Sequence, residues 1–76
     1  MNDKEREMIG LWRFSLIAPA YQGTHGFPSN RAFFRSLEKM ELKDPVSGEV
    51  KDYKAGTFDV WLSLYKRKGI DGLMPR

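Results

Sequence analysis

Cysteine is absent from this sequence, so neither a disulfide framework nor a thiolate metal site can form. Histidine occurs once, as His25 between Thr24 and Gly26. A zinc site or a Ser-His relay therefore has little to work with, and the residue reads as a solvated turn position rather than a ligand or general base. Long hydrophobic runs are missing too. The longest stretch without Asp, Glu, Lys or Arg, from Phe14 to Asn30, holds Pro19, Gly23, Gly26 and Pro28 and cannot be a membrane helix. The start, Met-Asn-Asp-Lys-Glu-Arg-Glu, is too acidic for a signal peptide, and Asn2 excludes myristoylation. The expected location is the cytoplasm.

What is present is an ordinary soluble composition, 41% hydrophobic and 30% charged, which argues against disorder. At 76 residues the chain is one small domain, and 13% aromatic residues give it the large side chains a short chain needs for a core. Thirteen basic against ten acidic residues leave a net charge of +3, which permits a nucleic-acid partner.

Periodicity predicts three helices. The first spans about 4–18, with Asp3 as N-cap, Met8, Ile9, Trp12 and Leu16 on one apolar face, and Pro19 ending or kinking it. Phe14 and Ile17 fall on its far side, as further core or as a docking patch. The second spans about 30–40, capped by Ser29, with Phe33, Leu37 and Met40 inward and Arg31, Arg35, Glu38 and Lys39 outward. Glu38 and Glu41 read as solvated. Asp44-Pro45-Val46-Ser47-Gly48 is turn chemistry, so about 42–53 reads as a short hairpin. The third helix spans about 56–68, with Phe58, Trp61, Leu62 and Tyr65 inward. Gly69 reads as its C′ residue, with Ile70 supplying the usual hydrophobic contact, and Asp71-Gly-Leu-Met-Pro75 as an exit from the domain.

The opposite face of the third helix is the most informative feature. Gly56, Asp59, Val60, Ser63 and Arg67 cluster there, with Lys66 beside them. Short side chains let a backbone approach base edges, and cations at the rim neutralise phosphates. Lys54 and the free N–H groups near Thr57 suit a phosphate at the helix N-terminus. The same face also fits a plain solvated surface. Arg31 and Arg35 divide evenly between a solvated face and phosphate contacts, and Lys51 or Lys43 in the hairpin suits a backbone contact.

Two runs carry a resemblance. Trp12-Arg-Phe-Ser-Leu-Ile-Ala-Pro19 and Thr57-Phe-Asp-Val-Trp-Leu-Ser-Leu-Tyr-Lys-Arg-Lys-Gly-Ile-Asp-Gly-Leu-Met-Pro75 resemble the N-terminal DNA-binding region of bacterial insertion-element transposases with an integrase-like DDE catalytic core. The resemblance implies a helix-turn-helix that recognises terminal inverted repeats. Asp59 departs from the basic or neutral residue such a face often carries. Such proteins continue past the position of Arg76 into a linker and catalytic core, so the chain is expected to be an excised domain or the product of a truncated reading frame.

The expectation is a mainly α, three-helix domain of helix-turn-helix type, homeodomain-like or winged-helix-like, with a β-hairpin inserted before the third helix. Its expected function is sequence-specific binding of double-stranded DNA within a transposase, beside the nucleoid and without catalysis by this chain. Lys54, Asp59, Val60, Ser63 and Arg67 are the candidate groove residues, Lys66, Arg31, Arg35 and Lys51 the candidate phosphate contacts, and Thr57 a further DNA-binding candidate at the helix N-terminus. No cofactor, metal, membrane or small-molecule substrate is implied. A docking module, touching other domains of the parent transposase, and a stand-alone transcriptional regulator are the alternatives.

Overall fold

The structure, a computed structural model, describes residues 1–75. Among them are three α-helices, α1 (Asp3–Gln22), α2 (Asn30–Glu38) and α3 (Ala55–Lys68), and a two-stranded hairpin, β1 (Leu42–Lys43) and β2 (Val50–Lys51). A 3-10 helix, Gly69–Gly72, follows α3 directly.

Helix α1 is longer than its periodicity suggests at both ends. Its N-cap is Asn2, not Asp3. The Asn2 side chain accepts from the Glu5 N–H at 2.8 Å, and the Glu5 carboxylate accepts in return from the Asn2 N–H at 3.3 Å. This reciprocal box satisfies two otherwise orphaned donors. Pro19 does not end the helix. Its fixed φ is helical, and its missing N–H costs one bond to Ser15 near the C-terminus. The helix runs on to Gln22, where Gly23 takes the left-handed conformation (φ 69°) and donates its N–H to the Pro19 carbonyl.

The buried line of α1 is also rotated from the expected one. Ile9, Ile17 and Ala20 are buried, Trp12, Phe14 and Leu16 pack partly against the core, and Met8 lies exposed. Helix α2 keeps its Ser29 cap, which accepts from the Ala32 N–H at 3.1 Å. It stops at Glu38, two residues short of the expected end. Met40 therefore leaves the core, and Phe34 takes its place beside Phe33 and Leu37.

The hairpin pairs Leu42 with Lys51 and Lys43 with Val50 in antiparallel register. Two residues per strand are too few for independent stability, and buried Leu42 ties the ribbon to the core. Asp44 builds the turn. Its Oδ1 accepts from the N–H groups of Val46 (2.8 Å) and Ser47 (3.0 Å), and its carbonyl accepts from Gly48.

Aromatic side chains join the elements. Tyr53, between the hairpin and α3, sits 4.9 Å from Trp61, 6.0 Å from Phe58 and 6.2 Å from Trp12, centroid to centroid. Phe58 also meets Phe34 of α2 at 5.8 Å. The Arg13 guanidinium of α1 lies over the Trp61 ring at 5.1 Å.

Residues 69–75 do not lead out of the domain. Gly69 (φ 66°, ψ −150°) closes α3 outside the left-handed helical region, and the chain folds back on α1. Leu73 is fully buried. Arg13 donates to the Leu73 carbonyl at 2.9 Å and Arg6 to the Pro75 carbonyl at 2.8 Å. Gly72 allows the close approach, since a Cβ there would stand 2.7 Å from the Leu64 carbonyl oxygen.

Two predictions follow from this packing. Trp61→Ala removes a ring that touches α1, the hairpin exit and α3 itself. The loss of about 3–5 kcal/mol is a large share of a small domain's stability. Thermal melting by circular dichroism should find the variant largely unfolded, and an unchanged midpoint would contradict the packing. The second concerns acid. The amides of Ser47 and then Val46 hold the Asp44 carboxyl below its ordinary value of 3.8, against a small opposing effect of burial and with help from Lys51 and Arg13. Because the folded value is depressed, the turn's stabilisation is present above the unfolded value of ~3.9 and fades as pH falls through the folded one. The protection of the Val46 and Ser47 amides against exchange, relative to the unstructured rate at the same pH, should fall below about pH 4, and Asp44→Asn should flatten that limb.

Candidate nucleic-acid interface

Helix α3 is covered on three sides. Phe14 and Tyr21 of α1 pack on Tyr65, at 4.6 and 4.9 Å between centroids. Helix α2 meets Phe58, and the 3-10 segment lies against Leu64 and Lys68 through Gly72. At 100° per residue, one arc is left bare, and it holds Gly56, Asp59, Val60, Ser63, Lys66 and Arg67. All six are exposed, Val60 by 57%. Asp59, Val60, Ser63 and Arg67, with Leu64 at the edge, line a shallow surface groove. The arc is short-chained along its middle, acidic near its N-terminal end and cationic at its C-terminal end. Over 14 residues α3 extends about 21 Å.

The other candidate residues are placed as follows. Lys54 is the exposed N-cap of α3 and makes no side-chain cap bond. Thr57 is half-buried, and its N–H donates to the Lys54 carbonyl at 2.9 Å. Arg31 and Arg35 are exposed on α2 and line a second groove, with Phe27, Ser29, Ala32, Ser36 and Lys39. Lys51 is half-buried and pairs with Glu49 at 3.3 Å, so part of its charge is already met. Among the described residues, Lys54, Lys66, Arg67, Arg31 and Arg35 have no carboxylate within ion-pair distance.

One expected feature is corrected. The N-terminus of α3 is not open for a phosphate, because Glu38 occupies it. The Glu38 carboxylate accepts from the Ala55 N–H at 2.5 Å and places a negative charge at the positive end of the helix dipole. Glu38 is thus half-buried and bonded rather than solvated. The sequence holds one signal for it: a lysine at the N-cap leaves the first turn of α3 without a side-chain acceptor of its own.

His25 is also more than a turn residue. It is half-buried, its ring stacks on Phe33 at 4.8 Å and 5°, and its Nε2 lies 2.8 Å from the Asn30 Oδ1. Sequence reasoning also passed over Phe27 and Leu64 as groove residues. Among the described residues, no cluster of three or more His, Asp or Glu side chains is placed to hold a metal ion, and no helix is long and apolar enough to cross a membrane.

Comparison of the chain with protein-family models, curated proteins and solved structures finds no match.

The cap from α2 to α3 is testable. Glu38→Ala removes both acceptor and charge and should lower stability by about 1–2 kcal/mol. Glu38→Gln keeps an acceptor and should cost less. Chemical denaturation of both variants checks the order, and equal stability of wild type and Glu38→Ala would contradict a cap at this position.

Proposed function

We propose that this chain is a DNA-binding domain of helix-turn-helix type, in which a hairpin replaces the tight turn between α2 and α3. The observation that carries the reading is the bare arc of α3. It is a rigidly held helix face with small side chains along its middle and unpaired cations at its end. Such a face admits the close approach to base edges that the major groove requires. On this reading Asp59, Val60 and Ser63 face bases, and Thr57 lies at the edge of the contact. Lys66 and Arg67 meet phosphates, Lys54 does so through its exposed side chain rather than at the helix N-terminus, and the α2 pair Arg31 and Arg35 adds backbone contacts, since the helix before the recognition helix crosses the DNA backbone. Lys51 is a weaker contributor because Glu49 already partners it.

The resemblance of the 12–19 and 57–75 runs supports a narrower reading. The domain recognises the terminal inverted repeats of a bacterial insertion element, as the N-terminal part of a DDE transposase whose catalytic core lies elsewhere, in the cytoplasm beside the nucleoid. A second reading is favoured by the apolar part of the same groove. Exposed Val60 beside Leu64, with Asp59 adjacent, also suits a protein partner.

Salt and three variants separate the two. Binding of inverted-repeat duplex should weaken with salt at a log–log slope of about −0.9 per phosphate neutralised. Lys66→Ala should weaken binding equally on all sequences and lower the slope by ~1, with folding intact because Lys66 lies off the core stripe. Arg67→Ala should also bind less tightly. Asp59 repels phosphates unless it accepts from a cytosine amino group, so Asp59→Asn should raise non-specific affinity and narrow the gap between cognate and random duplex. Salt-insensitive binding, or three variants behaving alike, would favour the docking surface.

A further inference from the structure

The groove along α2 differs in chemistry from the arc of α3. Arg31, Arg35 and Lys39 follow at four-residue spacing, so their positions rise along one side of the helix by ~6 Å per step. All three are exposed and none pairs with a carboxylate among the described residues. Ala32 and Ser36 are too short to fill the space between them. Phe27 stands in the same groove and is 44% exposed.

Local contacts place this half-open ring. The Phe27 N–H donates to His25 Nδ1 at 3.3 Å, which leaves Nε2 to carry the proton and donate to Asn30 Oδ1. The imidazole is itself stacked on buried Phe33, and the Phe27 ring sits 5.9 Å from that same ring. His25 thus anchors the loop to α2 and fixes an exposed aromatic beside a line of cations. The cations ask for a run of negative charges. The ring asks for a flat, apolar face, which a base offers when it is not stacked between neighbours inside a duplex.

We propose that this groove binds a single-stranded segment of nucleic acid, with Phe27 stacking on an unpaired base and Arg31, Arg35 and Lys39 following its phosphates. The combination of a basic track and an aromatic platform is the general means of holding single strands. The inference goes beyond the duplex reading of α3: it shares Arg31 and Arg35 with that reading's backbone contacts, while Phe27 and Lys39 belong to this groove alone. The same cations serve duplex phosphates equally well; the ring is what distinguishes the two ligands.

The test compares a labelled single-stranded oligonucleotide of mixed sequence with a duplex of the same sequence closed by base-free hairpin loops at both ends, at one low salt concentration. Phe27→Leu should lower single-strand affinity by about 5-fold or more and leave duplex affinity unchanged. Phe27→Trp should retain single-strand binding, and Arg35→Ala should weaken both ligands. In the wild-type protein, ring-current shifts of the Phe27 protons should appear with the single strand and not with the duplex, a readout that needs no variant to fold. Arg67→Ala, whose effect belongs to the α3 face, should spare single-strand binding, so the two readings can fail separately. The proposal is overturned if wild type does not bind the single strand, or if the Phe27 protons do not respond to it. It is also overturned if Phe27→Leu weakens both ligands alike, or if polyglutamate displaces the strand as readily as unlabelled oligonucleotide does.

Discussion

Phe58 and Trp61 project from α3 into a cluster built by α1, α2 and the segment after the hairpin, and the remaining elements are organised around them. Tyr53 brings the end of the hairpin segment, Phe34 brings α2, and Arg13 of α1 covers the indole face. A domain of this size buries only ~60% of its unfolded surface, so a few large side chains must supply most of the apolar burial. Placing them at the junction of three helices also fixes the rotation of α3. With Phe58, Trp61, Leu62 and Tyr65 committed inward, the arc from Gly56 to Arg67 has no freedom to face anywhere but solvent. The residues that hold the core thus decide which residues of α3 are exposed.

The ends of the chain reinforce this arrangement. Residues 69–75 return across α1, and two arginines of α1 fasten them by donating to the carbonyls of Leu73 and Pro75. Ile70 and Met74 pack where α1 carries Gly10, whose missing side chain leaves room for both. The second fastening joins α2 to α3 through Glu38, which supplies the acceptor that Lys54 lacks. Both are long-range polar bonds to backbone groups at element ends, where hydrogen-bonding groups would otherwise be orphaned.

What could be read from the sequence was local. The stripe of α3 and its bare arc follow from 3.6-residue periodicity, the Ser29 cap from residue type, and the Asp44 turn from its Asp-Pro-x-x-Gly chemistry. The misreadings each involve a partner distant in sequence or a local preference overruled by packing. Pro19 signals a helix end, yet it falls where only one bond is forfeited. The rotation of α1 is set by Ile17 and Ala20 meeting the core, which periodicity within α1 does not specify. Tyr53 has no periodic neighbours, being alone between two elements, and Glu38 lies on a face that composition alone assigns to solvent. Leu73 resembles an exit residue until the turn at Gly69 brings it back. On the interface, the exposed cations and the α3 arc were legible. The blocked N-terminus of α3 and the ordering of Phe27 by His25 were not, because each depends on a side-chain bond between residues of no fixed sequence spacing.

The central claim is that the uncovered arc of α3 is the surface that meets DNA. A titration of the isotopically labelled protein with a random-sequence duplex at low salt, followed by amide chemical shifts, tests it most directly. The account predicts that the perturbed amides cluster on Gly56, Asp59, Val60, Ser63, Lys66 and Arg67, with smaller shifts at Lys54, Arg31 and Arg35, while those of Met8 and Leu11, exposed on α1, stay in place. Shifts confined to the outer face of α1, or no shifts at any protein-to-DNA ratio, would contradict it.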